Sequence, residues 1–208
     1  MISGQEALAR LREGNRAFVA SIHDPGAAIG QARRLPVALA QQPHAIVLGC
    51  SDSRVPAELV LGQGFGDLFV IRVAGNIVAP SQVGSVEFAV ARYGTRLAVV
   101  LGHTQCGAIL ATLEELRQPA PLQSPNLRSI VDRIRPSVEP LLAAMPAQPL
   151  DAVIAHAVRA NIRAAADHLR HGSELLERLV QRDGLLIVGA EYCLETGVVD
   201  FFDTGPAA

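Results

Sequence analysis

The sequence predicts an α/β fold. It reads as a central, mostly parallel sheet of four strands with an antiparallel edge strand, flanking helices and an N-terminal arm helix. Three observations predict it. Four short runs, at 45–49, 67–73, 97–102 and 185–190, are apolar on successive positions rather than alternating. That is the pattern of strands covered on both faces, as in a parallel sheet. Helix-length stretches separate these runs, so strands and helices alternate. After the fourth run, Glu195-Thr-Gly197 reads as a tight turn into 198–202, which makes a hairpin.

The elements follow in order. Ser3-Gly-Gln-Glu6 is a capping box, in which the serine hydroxyl and the glutamate satisfy each other's backbone N–H groups at a helix start. Leu8, Leu11, Phe18, Val19 and Ile22 then keep helical spacing, and Asp24-Pro25-Gly26 ends the run. This helix precedes the first strand. It packs either on a partner subunit or on its own domain. Helices are expected at about 55–62, 83–93, 107–117, 126–145, 151–171 and 173–182. Gly94 and Gly172 read as helix stops and Ser173 as a helix start. Residues 118–125 read as a loop, because too few helices follow to build a second core. The expectation is one domain over 1–208, with 1–35 as the arm.

Composition narrows the chemistry. The chain has 208 residues, long enough to bury a core without disulfides. All 18 basic residues are arginine, so Schiff-base, P-loop and general-base lysines are excluded. A formal net charge of −2, with scattered arginines, argues against nucleic acid or an anionic membrane as the main partner. No apolar run approaches the roughly 18 residues a membrane span needs. The N-terminus shows no basic segment followed by an apolar one, so no secretory signal is expected. Three cysteines fit a reducing cytoplasm better than a disulfide framework.

Two strands end alike. IVLG runs into Cys50 and VVLG runs into His103. Ligands of open α/β sheets bind outside the carboxyl ends of the strands, so both residues leave on one edge. Each is followed by a second ligand type: Asp52 after Cys50, and Cys106 after His103. Thiolate, imidazole and carboxylate in this number suit Zn²⁺. Arg54 complicates Asp52, because the two are close enough in a turn to form a charge-assisted pair. If Asp52 binds the metal, the site has four protein ligands. If Arg54 holds Asp52, a fourth position opens.

Together, Cys50-Ser-Asp-Ser-Arg54 and His103-x-x-Cys106-Gly107 resemble the motifs of the β-class carbonic anhydrases. The likeness extends over about residues 2–202. It includes the leading helix, the strand order, Arg72-Val-Ala-Gly-Asn76 and the closing hairpin. The resemblance implies one Zn²⁺ per subunit on Cys50, His103 and Cys106, with Asp52 as the switchable group and Arg54 its partner. The implied reaction is the reversible hydration of CO₂ to bicarbonate and a proton by zinc-bound hydroxide. It further implies that Gln41 hydrogen-bonds bicarbonate, usually across a dimer interface, and that Phe69, Ala74 and Phe88 line an apolar pocket for CO₂. Gly107, which closes the second motif, joins this substrate-binding set. Phe88 stands where tyrosine is common in the family and Ala74 where valine is common. A homo-oligomer, dimer or tetramer, is implied. Val47 occupies the place of the tryptophan that marks a bicarbonate-inhibited branch, and the chain has no tryptophan. Hydrolysis of CS₂ or COS on the same scaffold, or a non-catalytic zinc protein with Asp52 on the metal, are the alternatives.

Other readings fail on context. Gly62-Gln-Gly64-Phe-Gly66 precedes a strand instead of following one, unlike a dinucleotide loop. Cys50 lacks an arginine six residues on, unlike a cysteine phosphatase; Pro56 stands there. Cys193 reads as structural. His23, His44, His156, His168 and His171 have no ligand spacing.

Overall fold

The structure is a computed structural model; it describes residues 2–22, 40–118 and 124–204. Among these residues, five strands form one sheet: β1 (Ala45–Gly49), β2 (Leu68–Arg72), β3 (Leu97–His103), β4 (Leu186–Tyr192) and β5 (Val199–Asp203). Their order is β2-β1-β3-β4-β5, parallel except for the last pair. The helices are α1 (Gly4–Ile22), α2 (Ala57–Val60), α3 (Pro80–Tyr93), α4 (Gly107–Arg117), α5 (Pro125–Ala144), α6 (Leu150–His171) and α7 (Glu174–Arg182).

Successive side chains of a strand point to opposite faces, so each apolar run feeds two cores. Ile46, Leu48 and Cys50 of the first run join Val86, Ile109, Ile134 and Ile162 under α3–α6. Ala45 and Val47 face the other way, with Leu8, Leu11, Val60 and Val99 under α1 and α2. The sequence pattern of unbroken apolar runs therefore reports two-sided burial. Helix α1 lays Ala7, Leu8 and Leu11 onto the chain's own sheet. Each buried leucine contributes about 1.5–3 kcal/mol relative to exposure. The expected capping box forms: Ser3 Oγ accepts from the Glu6 N–H at 3.2 Å, and the Ser3 N–H donates to Glu6 Oε2 at 2.7 Å. The turn expected at Asp24–Gly26 and most of the loop at 118–125 lie outside the described residues.

Several boundaries differ from the sequence reading. Helix α2 covers only four residues of the expected 55–62, since Gly62, at φ 59°, leaves the helical region. Helix α3 starts three residues early, because Pro80 is pre-set for the first helical turn. Gly94 ends α3 in the left-handed conformation, as expected. Ser173 caps α7 by accepting from the Leu176 N–H.

Candidate metal and active site

The site is built at the carboxyl edge of the sheet from three connections. The first follows β1. Cys50 is its first residue, and Gly49 pairs with Arg72 of β2 beneath it. The second follows β2 and is a short turn over Ala74–Asn76. Gly75 has φ 68°, and a Cβ there would stand 2.8 Å from Ile134 Cδ1 and 3.1 Å from Ala108 Cβ. Only glycine meets both constraints. Its N–H is thereby aimed at Cys50 Sγ, 3.3 Å away, and Asn161 Nδ2 of α6 holds the other side of the residue by donating to the Gly75 carbonyl at 2.8 Å. The third connection follows β3. His103 ends the strand, the backbone turns at Gln105 with φ 55°, and Cys106 caps α4.

These connections bring Cys50, His103 and Cys106 together. Their ligand atoms all lie within 4.8 Å of one another, and all three residues are buried. The two sulfurs are 4.0 Å apart. His103 Nδ1 lies 2.9 Å from the Thr104 carbonyl, an acceptor, so the proton sits on Nδ1. Nε2 then turns a lone pair to the sulfurs; it is buried with no hydrogen-bond partner. A carbonyl that fixes the tautomer is the usual support of a metal-binding imidazole. Two sulfurs and one imidazole nitrogen suit Zn²⁺, so the residues present fit that ion.

The sulfurs titrate as a pair. Sharing a hydrogen bond with Cys106 holds the Cys50 thiol well below its ordinary range, with His103 helping. The same contact, together with burial, pushes Cys106 up. A metal ion takes cysteine as thiolate, so a cation bound here would draw the proton off a sulfur that still carries one. His103 is pulled down by burial, but the Cys50 sulfur and the Thr104 carbonyl outweigh that and raise it.

Asp52 is held by Arg54. Arg54 Nε donates to Oδ1 at 2.9 Å, Nη2 to Oδ2 at 2.7 Å, and the Arg54 N–H to Oδ1 at 3.0 Å. The guanidinium keeps the Asp52 carboxyl well below the usual carboxylate range. Asp52 Oδ2 is still only 3.8 Å from His103 Nε2.

The residues expected to bind substrate fall into two groups. Ala74 and Gly107 are sequence neighbours of the site: Ala74 precedes Gly75, whose N–H meets Cys50 Sγ, and Gly107 follows Cys106. Gln41, Phe69 and Phe88 form a separate cluster around Tyr93. Gln41 Nε2 donates to Tyr93 Oη at 2.9 Å. The rings of Phe69, Phe88 and Tyr93 have centroids 5.8–6.0 Å apart. Phe69 pairs with Ile46, four residues before Cys50, which sets it about 13 Å back along the sheet. Phe88 is 52% exposed. Tyr93, the Thr104 carbonyl, the Gly75 N–H and the contacts of Arg72 were not singled out by the sequence. Arg72 and Gly75 had a signal there only as members of the Arg72–Asn76 motif.

A doubly covered parallel sheet with a Cys–His–Cys cluster at its carboxyl edge defines an α/β protein with a thiolate-rich centre compatible with zinc. Comparison with known proteins agrees. Residues 45–199 match the family model described as carbonic anhydrase. The chain is 44% identical over 130 residues to a carbonic anhydrase of Mycolicibacterium smegmatis, a match covering 62% of this chain and 61% of that protein. It is 35% identical over 178 residues to a carbonic anhydrase of Pseudomonas aeruginosa, covering 80% and 76%. Among solved structures it resembles a β-carbonic anhydrase of Aspergillus fumigatus, with a TM-score of 0.74 and 27% identity over 84% of this chain and 82% of that one. The chain belongs to the β-class carbonic anhydrase family.

Proposed function

We propose that the protein catalyses the reversible hydration of CO₂ to bicarbonate, with Zn²⁺ held by Cys50, His103 and Cys106 and with Asp52 held off the metal by Arg54. The observation that carries the reading is the three-contact pairing of Asp52 with Arg54 beside a three-ligand cluster. Three protein ligands leave a tetrahedral ion one open position, which a catalytic site needs. Zn²⁺ bound there supplies Lewis acidity that lowers the pKa of a coordinated water. The chain's own residues do the rest. His103 presents a fixed lone pair, because the Thr104 carbonyl takes its other proton. Asp52, kept ionised by Arg54, is a hydrogen-bond acceptor at the mouth of the cluster and can orient a proton-bearing group there.

The family likeness and the separation of Gln41, Phe69 and Phe88 from the sulfurs support a homo-oligomer in which these residues serve a neighbouring subunit. The thiols the site requires support a reducing, cytoplasmic setting.

The test is Arg54→Ala. It should keep one zinc per chain by elemental analysis and lose CO₂ hydration by at least tenfold. In the unaltered protein, the rate should rise between about pH 7 and 9, because two thiolates leave zinc a weaker acid than the three imidazoles of a site poised near 7. A fully active Arg54→Ala protein with a flat pH profile would refute the reading. So would turnover of CS₂ or COS without turnover of CO₂.

A further inference from the structure

We propose that Arg72 is a positioning residue that keeps the Asp52 carboxylate off the Cys50–His103–Cys106 cluster, and so keeps the fourth position open to an outside ligand. The proposal rests on the reading that this cluster holds a metal.

Arg72 ends β2 directly opposite Gly49. Its Nε donates to the Cys50 carbonyl at 3.0 Å and its Nη2 to the Asp52 carbonyl at 2.6 Å. One planar fork thus fixes two carbonyls, one on each side of the Ser51 residue. Backbone groups of the same segment extend the grip. The Val73 N–H donates to the Gly49 carbonyl at 3.1 Å, and the Gly75 N–H to Cys50 Sγ at 3.3 Å. The Asp52 carbonyl also accepts from the Val55 N–H at 3.1 Å. The end of β2 and the turn after it therefore act as a template on which residues 49–52 are laid.

The template decides where the Asp52 side chain leaves the backbone. With its carbonyl turned to Arg72, the carboxylate projects to Arg54. The margin is small, since Oδ2 is 3.8 Å from His103 Nε2 and a modest rotation of the 51–52 peptides would carry it among the ligands. Arg54 holds the carboxylate itself but shares the task. Its side chain is 50% exposed, and exposed ion pairs compete with water. Arg72 acts instead on the backbone, against a strand. A lysine offers a point charge without the fork, so it can replace one contact but not both.

The experiment uses the full chain loaded with Co²⁺ in place of zinc, titrated with thiocyanate and followed by its visible absorption spectrum. In the unaltered protein, thiocyanate should enter the open position and change the spectrum in a saturable way. In Arg72→Gln its dissociation constant should rise at least tenfold, because Asp52 takes that position. Arg72→Lys should fall between. Adding Asp52→Ala to Arg72→Gln should restore thiocyanate affinity to within threefold of the unaltered protein, a recovery that a general loss of stability would not give. Variants that bind thiocyanate as well as the unaltered chain, whatever their melting temperature, overturn the proposal. Loss of Co²⁺ uptake in both Arg72 variants overturns it too, since Arg72 would then build the cluster itself. If Arg72→Gln does not fold, Arg72→Lys with and without Asp52→Ala makes the same comparison. Failure of the unaltered chain to take up Co²⁺ or respond to thiocyanate would instead overturn the metal reading, and the proposal with it.

Discussion

Gly102→Ala should destabilise the protein through α6, the helix that lies across the sheet behind His103. A Cβ at Gly102 would stand 2.5 Å from Ile162 Cδ1 and 2.6 Å from Ile162 Cγ1. Ile162 is fully buried and its Cγ2 already packs close over the bare backbone of Gly189 on the next strand, so it can retreat little. Overpacking of this kind costs about 1–3 kcal/mol. Gly102 is not in the left-handed region, so alanine adds no backbone strain and gains about 0.4–1 kcal/mol by restricting the unfolded chain. The net expectation is a loss of about 1–2 kcal/mol from these two terms. In a chain of this length that lowers the melting temperature by roughly 2–8 °C. The assay is denaturant unfolding at fixed protein concentration. Ile162→Ala alone should lose about 2–5 kcal/mol. The double variant should lose less than the sum by at least 0.5 kcal/mol, since the two sites touch. A Gly102→Ala protein as stable as the unaltered one, or effects that simply add, would refute the reasoning.

Three further outcomes are expected. Cys50→Ser, His103→Ala and Cys106→Ser should each reduce bound zinc from about one per chain to a small fraction, measured by elemental analysis after dialysis; full retention in any of them would remove that residue from the ligand set. Burial holds the His44 imidazole below its ordinary 6.5, with Asp67 opposing and Arg10 assisting. The unfolded chain therefore takes up this proton first, so stability should fall as pH drops below about 6.5, and His44→Gln should flatten that slope in unfolding curves between pH 5 and 7. Asn15 donates to the Val60 and Gly197 carbonyls at 2.8 and 2.9 Å and accepts from the Val199 N–H at 2.9 Å; Asn15→Ala leaves three buried groups unpaired and should lose about 2–4 kcal/mol in the same assay.

The parts of the site that were legible in the sequence are those carried by side chains at strand ends. Cys50 and His103 stood out because each follows an apolar run and a glycine, and because the parallel sheet sends both runs to one edge. Asp52 and Arg54 stood out because two residues apart in a turn is within reach of a bidentate contact. Backbone contributions had no such mark. The Thr104 carbonyl that sets the imidazole tautomer, and the Gly75 N–H on the Cys50 sulfur, depend on local φ and ψ that residue types alone do not determine. Arg72 reaches the Cys50 loop only because β2 pairs with β1 in one register, Gly49 against Arg72. Tyr93 meets Gln41 across 52 residues of chain, a contact with no short-range pattern. The fold was more legible than its boundaries, since two-sided burial writes itself into whole runs whereas helix ends turn on single residues such as Pro80 and Gly62.

The Asn15 bonds also set an order of events. Helix α1 leaves the ribosome well before Gly197 and Val199, which share its asparagine and come 182 and 184 residues later. At about 5–20 residues per second, that gap lasts roughly 10–40 s. During it the helix can settle on β1 and β3, but the polar end of its buried face has nothing from the closing hairpin to bond. The turn at Gly197 thus closes a contact opened by a helix made some 180 residues earlier, and β5 docks onto a surface that has been waiting for it.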